Sequence, residues 1–355
     1  MTDHTDTSND NVGNTIQADA SPVAVNLANT PFHTLTQDTV LDAVESLGYV
    51  SDLRVFPLNS YENRVYQVGI EGEAPLIAKF YRPNRWSLQQ IREEHTFSLA
   101  LAELEIPVVP PIANAEGETL FEYGDHRFSL SQRRGGHAPS LDDMDTLYRM
   151  GQHLGRIHAL GQVEDYSHRP ALTLEDFGIR SREYLLANDF IPKTLLAAYQ
   201  TVSEQLIDKM QSVITNINYR SIRLHGDCHP GNVLQREDSL YFVDFDDSRM
   251  GPAIQDIWML LSGDKTQQQT QFGEILEGYE EFCEFNPTEL PLIESFRTLR
   301  LMHYAAWLAR RWEDPAFPQA FPWFNSERYW AEHIQELREQ LFGLDEPALK
   351  LPSAI

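Results

Sequence analysis

Apolar positions first recur at helical spacing in the stretch 35–47, at Val40, Leu41, Val44 and Leu47. Residues three or four apart share one face of a helix, so this stretch is predicted helical. Residues 1–30 carry Asp, Asn, Thr and Ser with few large apolar groups. Such a segment cannot offset its ordering entropy, and a disordered tail is expected. Runs rich in β-branched and aromatic residues follow at 54–58, 65–70 and 76–81, broken around Gly69, Gly72 and Pro75, and read as strands. Pro83 closes that block, and a helix over 87–104 is predicted with Ser87 as its N-cap. Pro107, Pro110 and Pro111 enforce extended chain, and two more strands are expected at 119–123 and 128–131.

At Gly135 and Gly136 the pattern changes. Beyond them helical spacing dominates, over 140–160, 192–216, 253–261, 268–284, 288–312 and 326–342, interrupted by one strand-rich island at 222–247. The division expected is a β-rich N-terminal lobe over 31–132, a hinge over 133–139, a helical lobe over 140–345 and a short tail over 346–355.

Composition narrows the class. Of 355 residues, 53 are acidic and 28 basic, a formal net charge of −25. That field repels a phosphate backbone and argues against broad nucleic-acid binding. Cys228 and Cys283, the only cysteines, rule out a disulfide framework or a four-cysteine zinc site. No Lys or Arg precedes Arg54, so the basic region of a secretory signal is missing. No apolar run approaches the ~18 residues of a membrane span. A cytoplasmic location without membrane attachment is the expectation.

The island carries the chemistry. It reads Arg223-Leu-His-Gly-Asp-Cys-His-Pro-Gly-Asn-Val-Leu234, then a polar turn at 235–239, then Leu240-Tyr-Phe-Val-Asp-Phe-Asp-Asp247. Two short apolar strands, 232–234 and 241–243, flank the turn as a hairpin, which brings its outer ends together. Asp227 and Asn232 stand at the start of the first strand, and Asp244 and Asp246 at the end of the second. Hard oxygen donors gathered in this way suit Mg²⁺, which takes one or two protein carboxylates and completes its shell with phosphates and water. An Asp not bound to the metal can accept a hydroxyl proton. A plain surface turn accounts for Asp238 and Asp247, but not for His225, Asp227, His229 and Asn232 crowded between Leu224 and Val233.

The segments His225-Gly-Asp-Cys-His-Pro-Gly-Asn232 and Val243-Asp-Phe-Asp246 resemble the catalytic and metal loops of the aminoglycoside phosphotransferase and choline kinase superfamily. Leu58-Asn-Ser-Tyr-Glu-Asn-Arg-Val-Tyr66, Lys79-Phe-Tyr-Arg-Pro83, Pro252-Ala-Ile-Gln-Asp-Ile-Trp-Met-Leu-Leu261 and Arg310-Arg-Trp-Glu-Asp-Pro-Ala-Phe-Pro318 extend the resemblance to that superfamily's bacterial stress-response Ser/Thr kinases, over roughly residues 33 to 345. The resemblance implies a two-lobed, protein-kinase-like α+β fold working as a monomer, with ATP and Mg²⁺ in the cleft and a protein Ser/Thr hydroxyl as acceptor. A small-molecule hydroxyl kinase is the alternative.

The same resemblance implies roles. Asp227 is the base, with the five-residue offset to Asn232 that kinases keep. Asn232 and Asp244 hold the metal, Asp244 also counting as catalytic. Lys79 reaches the α- and β-phosphates, Glu94 is its ion-pair partner, and the adjacent Glu93 is left to solvent. Ser60 faces the nucleotide. Asp256 braces the catalytic loop. Two departures stand out: Asp246 replaces the glycine of the kinase Asp-Phe-Gly, and the loop 59–64 contains no glycine.

Other features are set aside. Gly263-Asp-Lys-Thr266 lacks the earlier glycine of a phosphate-binding loop. His225 and His229 are separated by Gly226, which argues against a helical zinc pair. His158 reads as a packed core histidine, and the aromatics Phe317, Phe321, Trp323, Phe324, Tyr329 and Trp330 as packing of a Pro-rich loop. Cys228, lying between catalytic residues, is the candidate for inhibition by oxidation.

Overall fold

The computed structural model describes residues 30–351. The expected disordered tail therefore lies, but for Thr30, outside the described residues. Helix α1 (Gln37–Glu45) starts where the Thr36 side chain accepts the Thr39 N–H. Strands β1 (Ser51–Pro57), β2 (Arg64–Ile70) and β3 (Leu76–Phe80) are followed by helix α2 (Leu88–Glu103), then by β4 (Phe121–Tyr123) and β5 (His126–Gln132). The five strands form one antiparallel sheet in the order β1-β2-β3-β5-β4. Strand β3 alternates: Leu76, Ala78 and Phe80 are buried against Val40, Ala43 and Val44 of α1. Because strand side chains alternate faces, Lys79 points the other way. Ser87 caps α2 in a reciprocal capping box with Gln90, as read from the sequence. On α2, Phe97 and Leu101 join the core of the other lobe, so this helix is the packed link between the two.

The helical lobe consists of α3 (Met144–Gly161), α4 (Arg180–Ala187), α5 (Lys193–Asn216), α6 (Ile254–Trp258), α7 (Lys265–Tyr279), α8 (Leu292–Arg310), α9 (Ala316–Ala320) and α10 (Glu327–Gly343). Helices α3 and α7 cross closely: a Cβ at Gly151 would stand 2.0 Å from the Ile275 carbonyl oxygen. Two features had no separate sequence signal: α4, which grows out of a π-helical turn at Glu175–Ile179, and α9. Asp264, within the Gly263-Asp-Lys-Thr266 segment, is the N-cap of α7.

Two small ladders carry the island, β6 (Ile222–Arg223) with β9 (Met250–Gly251), and β7 (Val233–Arg236) with β8 (Ser239–Phe242). The β7–β8 strands run further toward the turn than expected, because Arg236 pairs with Ser239 and leaves only Glu237 and Asp238 in the turn. Glu237 takes the positive φ of 54° that a tight connection demands. The segment between the lobes is pinned to the hairpin by reciprocal backbone bonds of His137 and Gln235. Residues 346–351 lie back on α7, where Gln269 bonds both backbone groups of Lys350.

Candidate active site

The loop from His225 to Asn232 is held from beneath. Asp256, on α6 and without solvent exposure, accepts the N–H of His225 at 2.7 Å and of Gly226 at 2.9 Å. His158 reaches the same carboxylate at 3.0 Å and Tyr279 at 3.0 Å, so this core histidine is also a strut. Gly226 has φ +88° and its missing Cβ would overlap the Asp247 carbonyl oxygen, which leaves glycine as the residue for this turn. His225 donates from Nε2 to the Val243 carbonyl at 2.9 Å, and its Nδ1 faces the Asp227 N–H. Both ring nitrogens are thereby engaged in the loop. The ring packs on Phe245 with centroids 4.5 Å apart, and Phe245 meets Phe97 of α2 edge-on.

This scaffold presents the Asp227 carboxylate with each oxygen facing a cation or donor. Arg300 Nη1 lies 3.0 Å from Oδ1 and His229 Nε2 3.4 Å from Oδ2. Burial pushes this carboxyl up, yet the His229 hydrogen bond and the Arg300 charge outweigh burial and hold it below the ordinary Asp value. The carboxylate is thereby favoured in its ionised form. Asn232 donates its amide to the Asp227 carbonyl at 3.0 Å, which fixes the side chain. The Val243 N–H bonds the Asn232 carbonyl at 2.9 Å, so Asp244 follows directly beside it. That backbone bond places Asp244 next to Asn232 in the chain pairing.

Asp244 adopts a left-handed conformation, φ 62° and ψ 64°, and leaves its carboxylate half exposed. Lys79, from the opposite lobe, meets Asp244 at 2.9 Å and Asp246 at 3.1 Å. Burial alone would push the Lys79 ammonium down; Asp244 and Asp246 more than offset it and hold it well above the ordinary lysine value. Asp246 is buried among Arg85, Lys79 and the Asn63 amide, and burial is overcome by Arg85 and Lys79 to bring its carboxyl down to about 2. One exposed carboxylate and one amide oxygen beside a lysine fit a cation that keeps most of its shell for water and phosphate, as Mg²⁺ does.

Two expectations need correction. Lys79 does not pair with Glu94 here, because Asp244 and Asp246 take its ammonium at closer range. Glu94 is buried on α2, with Ser98 on one oxygen and no hydrogen bond on the other, and acts on Lys79 only as a nearby charge. Nor is Glu93 left to solvent: its carboxylate accepts the N–H groups of Ser167, His168 and Arg169 and so fastens α2 to the helical lobe. Ser60 donates its hydroxyl to the Asn63 carbonyl at 3.2 Å, closing the glycine-free turn. Cys228 is fully buried and its thiol is pushed far up by burial, which removes the thiolate that oxidation requires. The aromatics of 317–330 pack as expected, with Trp323 alone among the six strongly exposed.

Sequence reasoning missed Arg300, Arg85 and the anchoring of the loop at Glu62 and Asn63. None sits in a spacing that chemistry demands, and each works across a lobe boundary or from a distant helix. Among the described residues no helix is long and apolar enough to cross a membrane.

Comparison with known proteins agrees with this geometry. A family model described as the phosphotransferase enzyme family matches residues 54–293. Stress response kinase A of Escherichia coli O157:H7 is 44% identical over 320 residues, covering 90% of this chain and 97% of the relative. A Salmonella typhimurium relative named serine/threonine protein kinase RdoA is 42% identical over the same shares. Among solved structures, amicoumacin kinase hAmiN, in complex with AMP-PNP, Ca²⁺ and Ami, superposes with a TM-score of 0.70 at 20% identity, over 88% of this chain and 94% of that one. Spectinomycin phosphotransferase APH(9)-Ia, in complex with ADP and spectinomycin, gives 0.61 at 15% identity, over 87% of this chain and 98% of that one. With a family model over most of its length, relatives above 40% identity and the two-lobed α+β kinase fold, the chain belongs to the phosphotransferase enzyme family.

Proposed function

We propose that the protein is an ATP- and Mg²⁺-dependent kinase that phosphorylates Ser and Thr hydroxyls of protein substrates in the cytoplasm, as part of a stress response. The observation that carries the chemistry is the ionised Asp227 on the same small hairpin system as the exposed Asp244, which Lys79 meets from the other lobe. The stress-response and Ser/Thr assignments draw on the names of the relatives above 40% identity.

In this reading the acceptor hydroxyl donates its hydrogen bond to Asp227. As its oxygen attacks the γ-phosphorus and the bond to the β,γ-bridging oxygen breaks, the proton passes to Asp227 and ADP leaves. Lys79 releases its carboxylates to meet phosphate oxygens. Asn232 and Asp244 are the residues that would hold Mg²⁺, whose charge neutralises that developing on the phosphates. The protein's contribution is positioning and electrostatics.

The test is transfer of label from [γ-³²P]ATP in the presence of Mg²⁺, offering a basic protein mixture beside choline and aminoglycosides. Label on protein Ser or Thr supports the reading. Label on a small alcohol alone, with none on protein, replaces it with the small-molecule alternative.

A further inference from the structure

A glycine-rich loop grips phosphates through bare backbone N–H groups. The loop between β1 and β2, residues 58–63, has no glycine and must be held by other means. Its side chains hold it, and they do so on the opposite lobe. The Glu62 carboxylate accepts Arg311 Nε at 3.1 Å and Nη2 at 2.9 Å, accepts Trp307 Nε1, and lies 3.0 Å from Arg82 Nε. Trp307 belongs to α8 and Arg311 is its C-cap. One residue on, Asn63 donates to Asp246 at 3.1 Å and accepts the Arg82 N–H at 3.1 Å. Arg82 completes the ring by donating to Asp314 at 2.7 Å, and Tyr61 packs on Phe321 with centroids 4.7 Å apart.

Glu62 and Arg82 are 12% and 4% exposed at their side chains, and Arg311 24%. Water therefore substitutes poorly for a missing partner. A glutamate also repels phosphate, so any gain in ATP affinity from Glu62 has to come through the loop it holds.

We propose that Glu62 is a positioning residue: with Arg311 and Trp307 it clamps the glycine-free loop onto the end of α8 and thereby sets affinity for the nucleoside triphosphate. The inference rests on the kinase reading and deepens it, because α8 also supplies Arg300 to Asp227, so one helix organises both halves of the site.

The test measures binding of a fluorescent ATP analogue and steady-state kinetics for the native protein, Glu62→Gln, Arg311→Gln and Arg311→Lys. Either glutamine variant is expected to raise the analogue Kd and the KM for ATP about 10- to 100-fold, the equivalent of one partly buried charge-assisted bond. The kcat should fall less than about threefold, and Arg311→Lys should recover a large part of the loss. Arg311 lies nearer solvent than Glu62, so its variants keep the test decisive where Glu62→Gln folds poorly. Unchanged Kd and KM in folded glutamine variants, or a loss confined to melting temperature, overturns the clamp. Absence of analogue binding by the native protein overturns the kinase reading instead.

Discussion

Arg300 Nη1 stands 3.0 Å from Asp227 Oδ1, an ion pair between a helix and a loop 73 positions apart in the sequence numbering. With the His229 hydrogen bond it keeps the carboxylate ionised against the cost of burial, and it ties the loop that carries Asp227 to α8. Asp227→Ala is expected to lower kcat by roughly 10²–10⁴, the range for loss of a general base. Arg300→Gln should leave the base in place but let its pKa rise. The acid limb of the kcat/KM profile then moves to higher pH, and an unmoved limb would show that Arg300 does not tune the base.

Asp244 and Asn232 are the only protein donors assigned to the cation, so turnover should be sensitive to both. Chelation with EDTA is expected to abolish phosphoryl transfer, with recovery on adding Mg²⁺. Asp244→Asn should cost roughly 10²-fold or more in kcat, and Asn232→Ala should raise the Mg²⁺ concentration at half-maximal rate. Titrating Mg²⁺ against rate for each variant checks this.

Asp256 carries two backbone donors and His158 with no solvent to replace them. Asp256→Asn turns one accepting oxygen into a donor facing a donor, at a cost of about 1–3 kcal/mol for the lost bond. Urea unfolding should show that loss, and kcat should fall because the loop bearing Asp227 loosens. A variant with native stability would mean the loop is braced elsewhere.

Glu289 is 2% exposed and caps α6 by accepting the Ile254 N–H at 3.0 Å. Burial raises its carboxyl to about 7 despite the Ile254 and Ala253 backbone bonds. The folded state therefore binds this proton more tightly than the unfolded chain. Its contribution is most favourable below the ordinary Glu value and is lost as pH rises through 7. Glu289→Gln keeps the accepting oxygen and removes the charge. It should stabilise the protein above pH 7 by up to roughly 3 kcal/mol and flatten the stability profile between pH 4.5 and 7. Chemical unfolding across that range checks both.

The site was legible where its residues are neighbours in sequence. His225 to Asn232 and Val243 to Asp246 lie within one hairpin, so local turn chemistry brings them near one another before Asp256 fixes the loop from beneath. The capping of α2 at Ser87 was legible for the same reason, since a serine before Gln90 satisfies its own helix. The Lys79 partner was not. Choosing between Glu93 and Glu94 required knowing which face of α2 meets the other lobe, and the structure uses neither for a direct pair. Glu93 took backbone donors at 167–169, which no pattern on α2 announces.

What the chain determines by itself is the set of elements and the local clustering of oxygen donors, because periodicity, caps and tight turns act over a few residues. Tertiary structure decided which charges meet: Lys79 with Asp244 and Asp246, Arg300 with Asp227, Glu62 with Arg311. Coulomb attraction carries no sequence register, so a buried carboxylate pairs with whichever cation packing brings within about 4 Å.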